Sequence, residues 1–165
     1  MAVFALSSAT VLMGTGWTGT APGDPGTQTV SGTITSSTNI SAMISEIDIS
    51  MDADEIDYTN FASGGWRQKT IGLKAGTIQI TFNQDFAASQ VDALFGIGGT
   101  LMPFGGTGPY YIDVKPTSSA RGTTNPSYVA QLVPLSYTPL SGAVGALATV
   151  QIQIPTTGQI ARLTA

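Results

Sequence analysis

The sequence contains no cysteine and no histidine, and only 10% of its 165 residues are charged. Without cysteine there is no disulfide framework and no thiol nucleophile. Without histidine there is no Ser-His-Asp triad and no imidazole acid–base group. Typical zinc and iron sites lose their usual ligands as well, so we expect no metal and no cofactor. Carboxylate chemistry is not excluded by these absences.

The shortage of charge is concentrated in two flanks of the chain. Asp24 is the only charged side chain from Met1 to Ser45, and Arg162 is the only one from Gly122 to Ala165. Soluble domains usually carry about 25% charged residues, yet this chain has a mean hydropathy of +0.20. A neutral surface does little to keep copies of a protein apart. We therefore expect much of it to be covered by other copies of the chain.

The remaining charges and apolar runs limit the partners. The net charge is −4 and the pI is near 4.3, which argues against gripping nucleic acid through its phosphates, since that takes clustered Lys and Arg. No apolar run approaches the roughly 20 residues needed to span a bilayer. The first residues lack the basic region of a signal peptide. We expect one domain over residues 1–165, with no membrane partner.

Hydrophobic and polar residues alternate along much of the chain, as they do in half-buried strands. The alternation is clearest at residues 46–52, 77–82, 110–115 and 148–154. Residues 128–135 form a further candidate strand, in which Pro134 limits pairing near the end. Alternation of this kind is typical of antiparallel sheets with one covered face. It predicts a mainly β fold, an antiparallel β-sandwich or partly closed barrel.

One short helix and several long loops complete the predicted fold. Residues 87–95 place three apolar side chains at helical spacing, with Asn83 or Asp85 available as the N-cap. Residues 27–35 are either a strand pair or an extended arm. Loops are expected at residues 14–26, 96–108 and 116–127, and loops of this length are usually binding or functional segments.

Two motifs suggest chemistry that their context does not support. Residues 14–19 match GxGxxG, but a dinucleotide site needs a helix directly after it, and Pro22 and Pro25 follow instead. We therefore prefer to interpret residues 14–19 as a flexible loop.

Most of the acidic residues lie between Glu46 and Asp57, without the spacing of a calcium-binding loop. Carboxylates two apart on a strand lie about 7 Å apart at their Cα atoms, as on many solvated faces, so we favour a solvated acidic face over catalysis.

Residues 57–85 resemble the core signature of major tail tube proteins of long-tailed, siphovirus-type bacteriophages. An Asp-x-Thr segment begins at Asp57 and leads through a Gly-containing loop to the basic residue Arg67. A Gly-Leu-Lys-x-Gly turn at residues 72–76 and an alternating strand follow, and the strand ends in the polar segment 83–85. The rest of the chain matches this family by pattern alone. Tail-terminator and distal-tail proteins share the fold.

The resemblance implies a structural protein of the virion tail, assembled in the host bacterial cytoplasm, and no enzyme. Copies would form sixfold rings that stack into a tube, and DNA would pass through without specific binding. Further partners would be the tape measure, tail-terminator and distal-tail proteins. Two segments are candidates for tying successive rings together: the extended arm at residues 1–35 and the loop at residues 96–108.

The resemblance also suggests roles for individual residues in such a tube. Glu46 and Asp48 are the candidates for the wall of the channel, since lumens in this family tend to be acidic. The candidates for contacts between subunits are Trp17, Trp66, Met102 and Phe104.

Three alternatives stay open at this point. The chain could be a β protein that decorates or stabilises a phage head. It could be a receptor- or carbohydrate-binding module in which Trp17, Trp66, Tyr110 and Tyr111 contact sugars. A carboxylate hydrolase is the weakest alternative, because no residue supplies the geometry for proton transfer.

Overall fold

The described part of the protein is built from seven strands and one short α-helix. The computed structural model describes residues 8–23 and 29–165. The elements are β1 (Thr10–Thr18), β2 (Thr33–Asn39), β3 (Ile44–Asp57), β4 (Lys69–Asn83), α1 (Val91–Phe95), β5 (Tyr110–Lys115), β6 (Ser127–Leu132) and β7 (Thr149–Leu163). The prediction of a mainly β protein with one short helix is confirmed. No helix in the described ranges is long and apolar enough to cross a bilayer.

All seven strands belong to one antiparallel sheet of order β2-β1-β5-β6-β7-β4-β3. The sheet is not closed into a barrel, so β2 and β3 are its two edges. Strand β7 takes part in two ladders, because its first part pairs with β4 as far as Pro155 and its second part pairs with β6 from Thr156 onward. The long β7 therefore connects the ladder β3–β4–β7 to the ladder β7–β6–β5–β1–β2.

The inward faces of these two ladders share one hydrophobic core. Helix α1 adds to it, and the rings of Phe82 on β4 and Phe95 on α1 lie 5.0 Å apart at their centroids. The core side chains contributed by the strands include Ile78, Ile80, Val150, Ile152 and Ile154 from one ladder and Val11, Met13, Ile112, Ala130 and Leu132 from the other. The two halves thus pack face to face, as the alternation predicted.

Strand β5 is buried on both faces, which corrects the expectation of a single covered face there. Every residue from Tyr110 to Val114 is buried. Tyr111 lies in a second cluster with Ala21 and Ile34, and its ring is 5.6 Å from that of Trp17. A second apolar layer therefore covers the far side of β5.

The prediction of a flexible loop at residues 14–26 is wrong for the first part of this range, which belongs to strand β1. Glycines dilute the alternation there, but they are needed for close pairing. A Cβ at Gly14 would lie 2.7 Å from the carbonyl oxygen of Ser36 on the paired strand β2. Because Val11 and Met13 are in the core, this part of the expected arm belongs to the sheet. Residues 1–7 and 24–28 of that arm lie outside the described residues.

Two local predictions near β4 also need correction. The turn expected at residues 72–76 lies inside β4, where a register shift between Ala53 and Glu55 accommodates one extra residue on β4. Helix α1 starts only at Val91, and its N-cap residue Gln90 makes no side-chain cap. Asp85 instead accepts a hydrogen bond of 2.8 Å from the backbone N–H of Ala87, which fixes a turn before the helix.

Candidate assembly surfaces

The outer face of the β3–β4–β7 ladder is a continuous polar surface, here called the polar face. Its cross-strand rows follow from the register: Asp48 opposes Gln79, and Glu46 opposes Thr81. On β7, Gln153 opposes Gln79 and Gln151 opposes Thr81. The polar face is thus defined by Glu46, Asp48, Gln79, Thr81, Gln151 and Gln153. It exists because alternate residues of the same strands, such as Ile78 and Ile80, point into the core.

The polar face combines carboxylates, amides and a hydroxyl, and none of its six residues is a cation. Phosphates are held on proteins mainly by Lys and Arg, so this face offers them no anchor. The structure places Glu46 and Asp48 exposed on this one face, while their position in a channel stays a prediction. In the described part of the chain, no group of three or more acidic side chains could hold a metal ion.

Beyond the sheet, β3 and β4 continue as a protruding hairpin, here called the hairpin arm (residues 51–75). Strand β4 pairs with β7 only from Thr77 to Asn83, so the arm consists of two strands that pair only with each other. All residues from Met51 to Asn60 are exposed. A two-stranded hairpin is marginally stable by itself in water, so the order of the arm depends on its continuity with the sheet.

The arm carries large apolar side chains on its surface. The exposed ones are Met51, Ile56, Tyr58, Phe61, Trp66, Ile71 and Leu73. Phe61 and Trp66 lie in the connection between the strands, here called the tip (residues 58–68), and Trp66 is 81% exposed. Larger apolar patches on a soluble protein usually mark interaction sites.

The tip is nevertheless ordered by local hydrogen bonds. Asn60 accepts a hydrogen bond of 2.9 Å from the N–H of Ala62, and Ser63 accepts one of 3.0 Å from the N–H of Asn60. The hydroxyl and N–H of Thr59 both donate to Asp57, and these bonds lower the pKa of the Asp57 carboxyl. The exposed aromatic side chains therefore stand on a defined turn.

One ion pair links the two strands of the arm. The Lys69 Nζ lies 2.7 Å from Glu55, and the hydrogen bond to that carboxylate raises the pKa of Lys69. Exposed pairs of this kind contribute little to stability. Arg67 has no ion-pair partner within the described ranges.

A second apolar surface lies at the other end of β4 and is here called the α1 end (residues 84–104 and 135–148). The two segments are tied together: the Gln84 N–H donates to the Ala148 oxygen at 3.0 Å. The Tyr137 hydroxyl donates to Asp92 at 2.8 Å. The exposed apolar side chains here are Phe86, Ile97, Phe104, Leu135, Leu140, Val144 and Leu147.

The α1 end contains an open groove of about 320 Å³ lined by Asp92, Ile97, Phe104, Tyr137 and Pro139. Burial in this groove, and then the hydrogen bond to Asp92, raise the pKa of Tyr137 to about 12. The hydrogen bond to Asp92 holds the Tyr137 ring in place in the wall of the groove.

The four predicted contact residues lie in different environments. Trp66 is 81% exposed on the tip and Phe104 is 49% exposed beside the groove. Trp17 is half-buried, and its indole N–H donates to the Ser31 oxygen at 2.9 Å. Met102 is 2% exposed and packs in the subunit's own core. Contact with another subunit stays a prediction for all four residues.

Sequence reasoning missed most of the arm and the α1 end. Phe61 and Ile71 were not candidates, and Ile97 was included only as part of the candidate loop at residues 96–108, although each of the three is exposed. The sequence does carry a signal in the arm, because the apolar residues Ile71 and Leu73 alternate with Gly72 and Lys74 as they do in a strand.

No protein-family model and no curated protein matches the sequence. Among solved structures, the chain is similar to one from the tail of an empty GTA particle with C6 symmetry. Sequence identity is 16% and the TM-score is 0.46, and the match covers 79% of this chain and 87% of the other. It is also similar to a chain from the virion of a native gene transfer agent particle, at 16% identity and a TM-score of 0.47, covering 77% and 88%.

Proposed function

We propose that the chain is a structural subunit of a phage-type tail tube, whose copies form stacked rings around a DNA channel. The observation that carries the proposal is the open sheet. Among the described residues, no strand pairs with the outer edge of β2 or of β3, and β3 is 14 residues long. A long free edge promotes uncontrolled aggregation unless it is covered. In a ring, neighbouring copies cover these edges.

The surface composition supports assembly over a solitary particle. The chain has little charge, and its exposed apolar side chains are concentrated in two patches, the hairpin arm and the α1 end. Exposed apolar side chains that cluster in this way on a soluble protein usually mark an interaction site. One of the similar solved structures is a chain from a particle tail, which is consistent with this proposal. The proposal does not depend on that similarity.

The polar face supports the assignment of a channel wall. Glu46 and Asp48 supply negative charge, and the neighbouring amides bind water without fixing phosphate. DNA that moves along such a wall meets no cation that would hold it. The channel therefore acts passively, and the subunit needs no catalytic residue. The tape measure, tail-terminator and distal-tail proteins are the partners proposed for such a tube in the virion tail.

Charge reversal tests this assignment. In the double variant Glu46→Lys/Asp48→Lys we expect tubes to assemble and DNA release from the particles to slow, because lysines would now bind the passing phosphates. The matched control is Glu46→Gln/Asp48→Asn, which keeps side-chain size and adds no cation. Unchanged release in the lysine variant would contradict the channel assignment. Loss of tubes would place the two residues in a subunit contact.

The sugar-binding alternative is less consistent with the structure. Tyr110 and Tyr111 are only 7% and 8% exposed, so two of the four aromatic side chains that this alternative needs are buried in the subunit. The remaining two, Trp17 and Trp66, belong to different surfaces.

A further inference from the structure

The start of the edge strand β2 is weakly supported by the rest of the sheet. Strand β1 pairs with β2 as far as Thr18, which lies opposite Thr33, but it pairs with β5 only as far as Gly14. Beyond Gly14 the two strands form a two-stranded extension, here called the β2 corner (residues 15–18 and 32–36). A pair of strands is marginally stable by itself in water, so further contacts must hold this corner.

Apolar packing fixes one side of the β2 corner. Trp17 and Ile34 lie there in the cluster with Tyr111. The side toward the loop between β5 and β6 is less tightly packed, because an open groove of about 570 Å³ lies there, with Thr33 and Lys115 among its lining residues. Contacts that cross this groove therefore decide whether the start of β2 stays in place.

The guanidinium of Arg121, in the loop between β5 and β6, makes such contacts. Its Nη1 donates to the Gly32 oxygen at 2.9 Å and to the Ala165 oxygen at 3.2 Å. Its Nη2 pairs with Asp113 on β5 at 3.1 Å, and the Ser127 hydroxyl on β6 also donates to Asp113. One side chain thus joins the β2 corner and the residues after β7 to the middle of the sheet.

The loop that carries Arg121 is itself fixed by Asn125, which is only 6% exposed. The Asn125 amide nitrogen donates to the Ser119 oxygen at 2.8 Å and to the Ala120 oxygen at 3.2 Å. Its amide oxygen accepts a hydrogen bond of 3.0 Å from the N–H of Thr117. Because these bonds hold the loop closed, Arg121 reaches the β2 corner from a defined position.

Stability alone does not explain an ion pair at this place. The side chains of Asp113 and Arg121 are 6% and 13% exposed, in a chain in which charge is scarce. Desolvation offsets much of the attraction in a buried ion pair, and apolar residues of similar volume often give an equally stable fold. An apolar side chain cannot bind backbone oxygens, however. The planar fork of arginine presents several donors in fixed directions, which is what the oxygens of Gly32 and Ala165 require.

We infer that Arg121 is a positioning residue for assembly, which holds the β2 edge where a neighbouring copy covers it. The inference rests on the proposed function, in which copies of the chain cover each other's sheet edges, and it names the group that orients one of those edges. An edge that fluctuates loses conformational entropy when a neighbour pairs with it. Loss of the fork therefore weakens assembly while the fold, which depends on the shared core, is retained.

Arg121→Lys tests the fork, because lysine keeps the charge beside Asp113 but is a compact point charge. In the unassembled variant we expect amide hydrogen exchange in β2 to be about tenfold faster than in the unaltered protein, as loss of one hydrogen bond to a charged group predicts. The concentration needed for assembly should rise by a similar factor, and the melting temperature should change by less than about 5 °C. The matched control is Arg162→Lys, which should change none of these quantities, since Arg162 is exposed and its bond to the Thr123 oxygen is 3.4 Å long.

A disulfide across the β2 corner should replace the missing contact. Thr18 Oγ1 and Thr33 Oγ1 lie 3.2 Å apart, close enough for a disulfide between cysteines at these positions, and the chain contains no other cysteine. Because Trp17 on β1 packs against Tyr111, tying β2 to β1 holds the edge without Arg121. In oxidised Thr18→Cys/Thr33→Cys/Arg121→Lys we expect slow exchange in β2 and normal assembly to return. The reduced form of the same protein is the control and should behave like Arg121→Lys.

The outcomes separate this inference from the proposed function. If the unaltered protein assembles, and Arg121→Lys matches Arg162→Lys in β2 exchange and in assembly, the positioning role is wrong and self-assembly stands. If Arg121→Lys does not fold, or if oxidation of the disulfide variant restores neither exchange nor assembly, Arg121 supports the fold as a whole and the positioning role is again wrong. If the unaltered protein stays monomeric at all concentrations, the proposed function fails and the inference fails with it.

Discussion

Phe82 and Phe61 are the same residue type in opposite surroundings. Phe82 is fully buried, and Phe61 is 111% exposed on the tip. We expect Phe82→Ala to lower the free energy of unfolding by about 3–5 kcal/mol, since it leaves a cavity in the core. Phe61→Ala should change it by less than about 0.5 kcal/mol and weaken assembly instead. Chemical denaturation of the unassembled subunit measures both, and equal losses would contradict the assignment of these surfaces.

Tyr137 gives the fold a dependence on alkaline pH. Its pKa is raised to about 12 in the folded chain, against about 10 in an unfolded one. Stability from this group is therefore complete below about pH 10 and is lost as the pH rises toward 12, because the unfolded chain releases the proton first. The free energy of unfolding, measured from pH 9 to 12, should fall less steeply for Tyr137→Phe. If the free energy of unfolding changed with pH in the same way for both proteins, the pKa of Tyr137 would not be raised in the folded chain.

Among the elements, the strands with clean alternation could be predicted and the others could not. The core positions of β4 and β7 follow from Ile78, Ile80, Ile152 and Ile154, which alternate with polar residues. Strand β1 was missed because Gly14 and Gly16 hide the pattern, although their lack of a side chain is what allows close pairing with β2. The helix is shorter than its spacing suggests, because Ser89 has a positive φ of 64°, which a right-handed helix cannot contain.

The hairpin arm shows why the candidate site could be predicted only in part. The acidic residues of β3 could be placed on one face by their spacing, since alternate side chains share a face. The protrusion of the arm could not, because it depends on where β7 stops pairing with β4. The expected turn at residues 72–76 further hid the length of β4.

Shortening the arm tests its role as an element. Asp52 and Ala75 are paired across the hairpin, so an Asn-Gly dipeptide can replace residues 53–74 with a two-residue turn. We expect the shortened chain to keep its melting temperature within a few degrees, because the removed residues contribute no buried side chain to the core. It should no longer assemble, which sedimentation velocity would show. A shortened chain that still forms tubes would exclude the arm as an assembly element.

The near absence of charge in the two flanks of the chain has two causes. Part of their neutrality reflects burial within the subunit, since β6 and β7 are inner strands of the sheet. The remainder lies on exposed surface, above all residues 135–148, where no charge occurs and apolar side chains such as Leu140 and Val144 are exposed. Composition alone could not separate these two causes, because it does not show which residues face inward.

We propose that copies of this chain form a tube whose channel is lined by the polar face. Electron cryo-microscopy of the purified, assembled protein, at a resolution that shows side chains, can test this arrangement. We predict a hollow tube of stacked rings in which Glu46, Asp48, Gln79 and Gln153 face the channel. A tube with these residues on its outer surface, or a protein that remains a small solitary particle at high concentration, would contradict the claim.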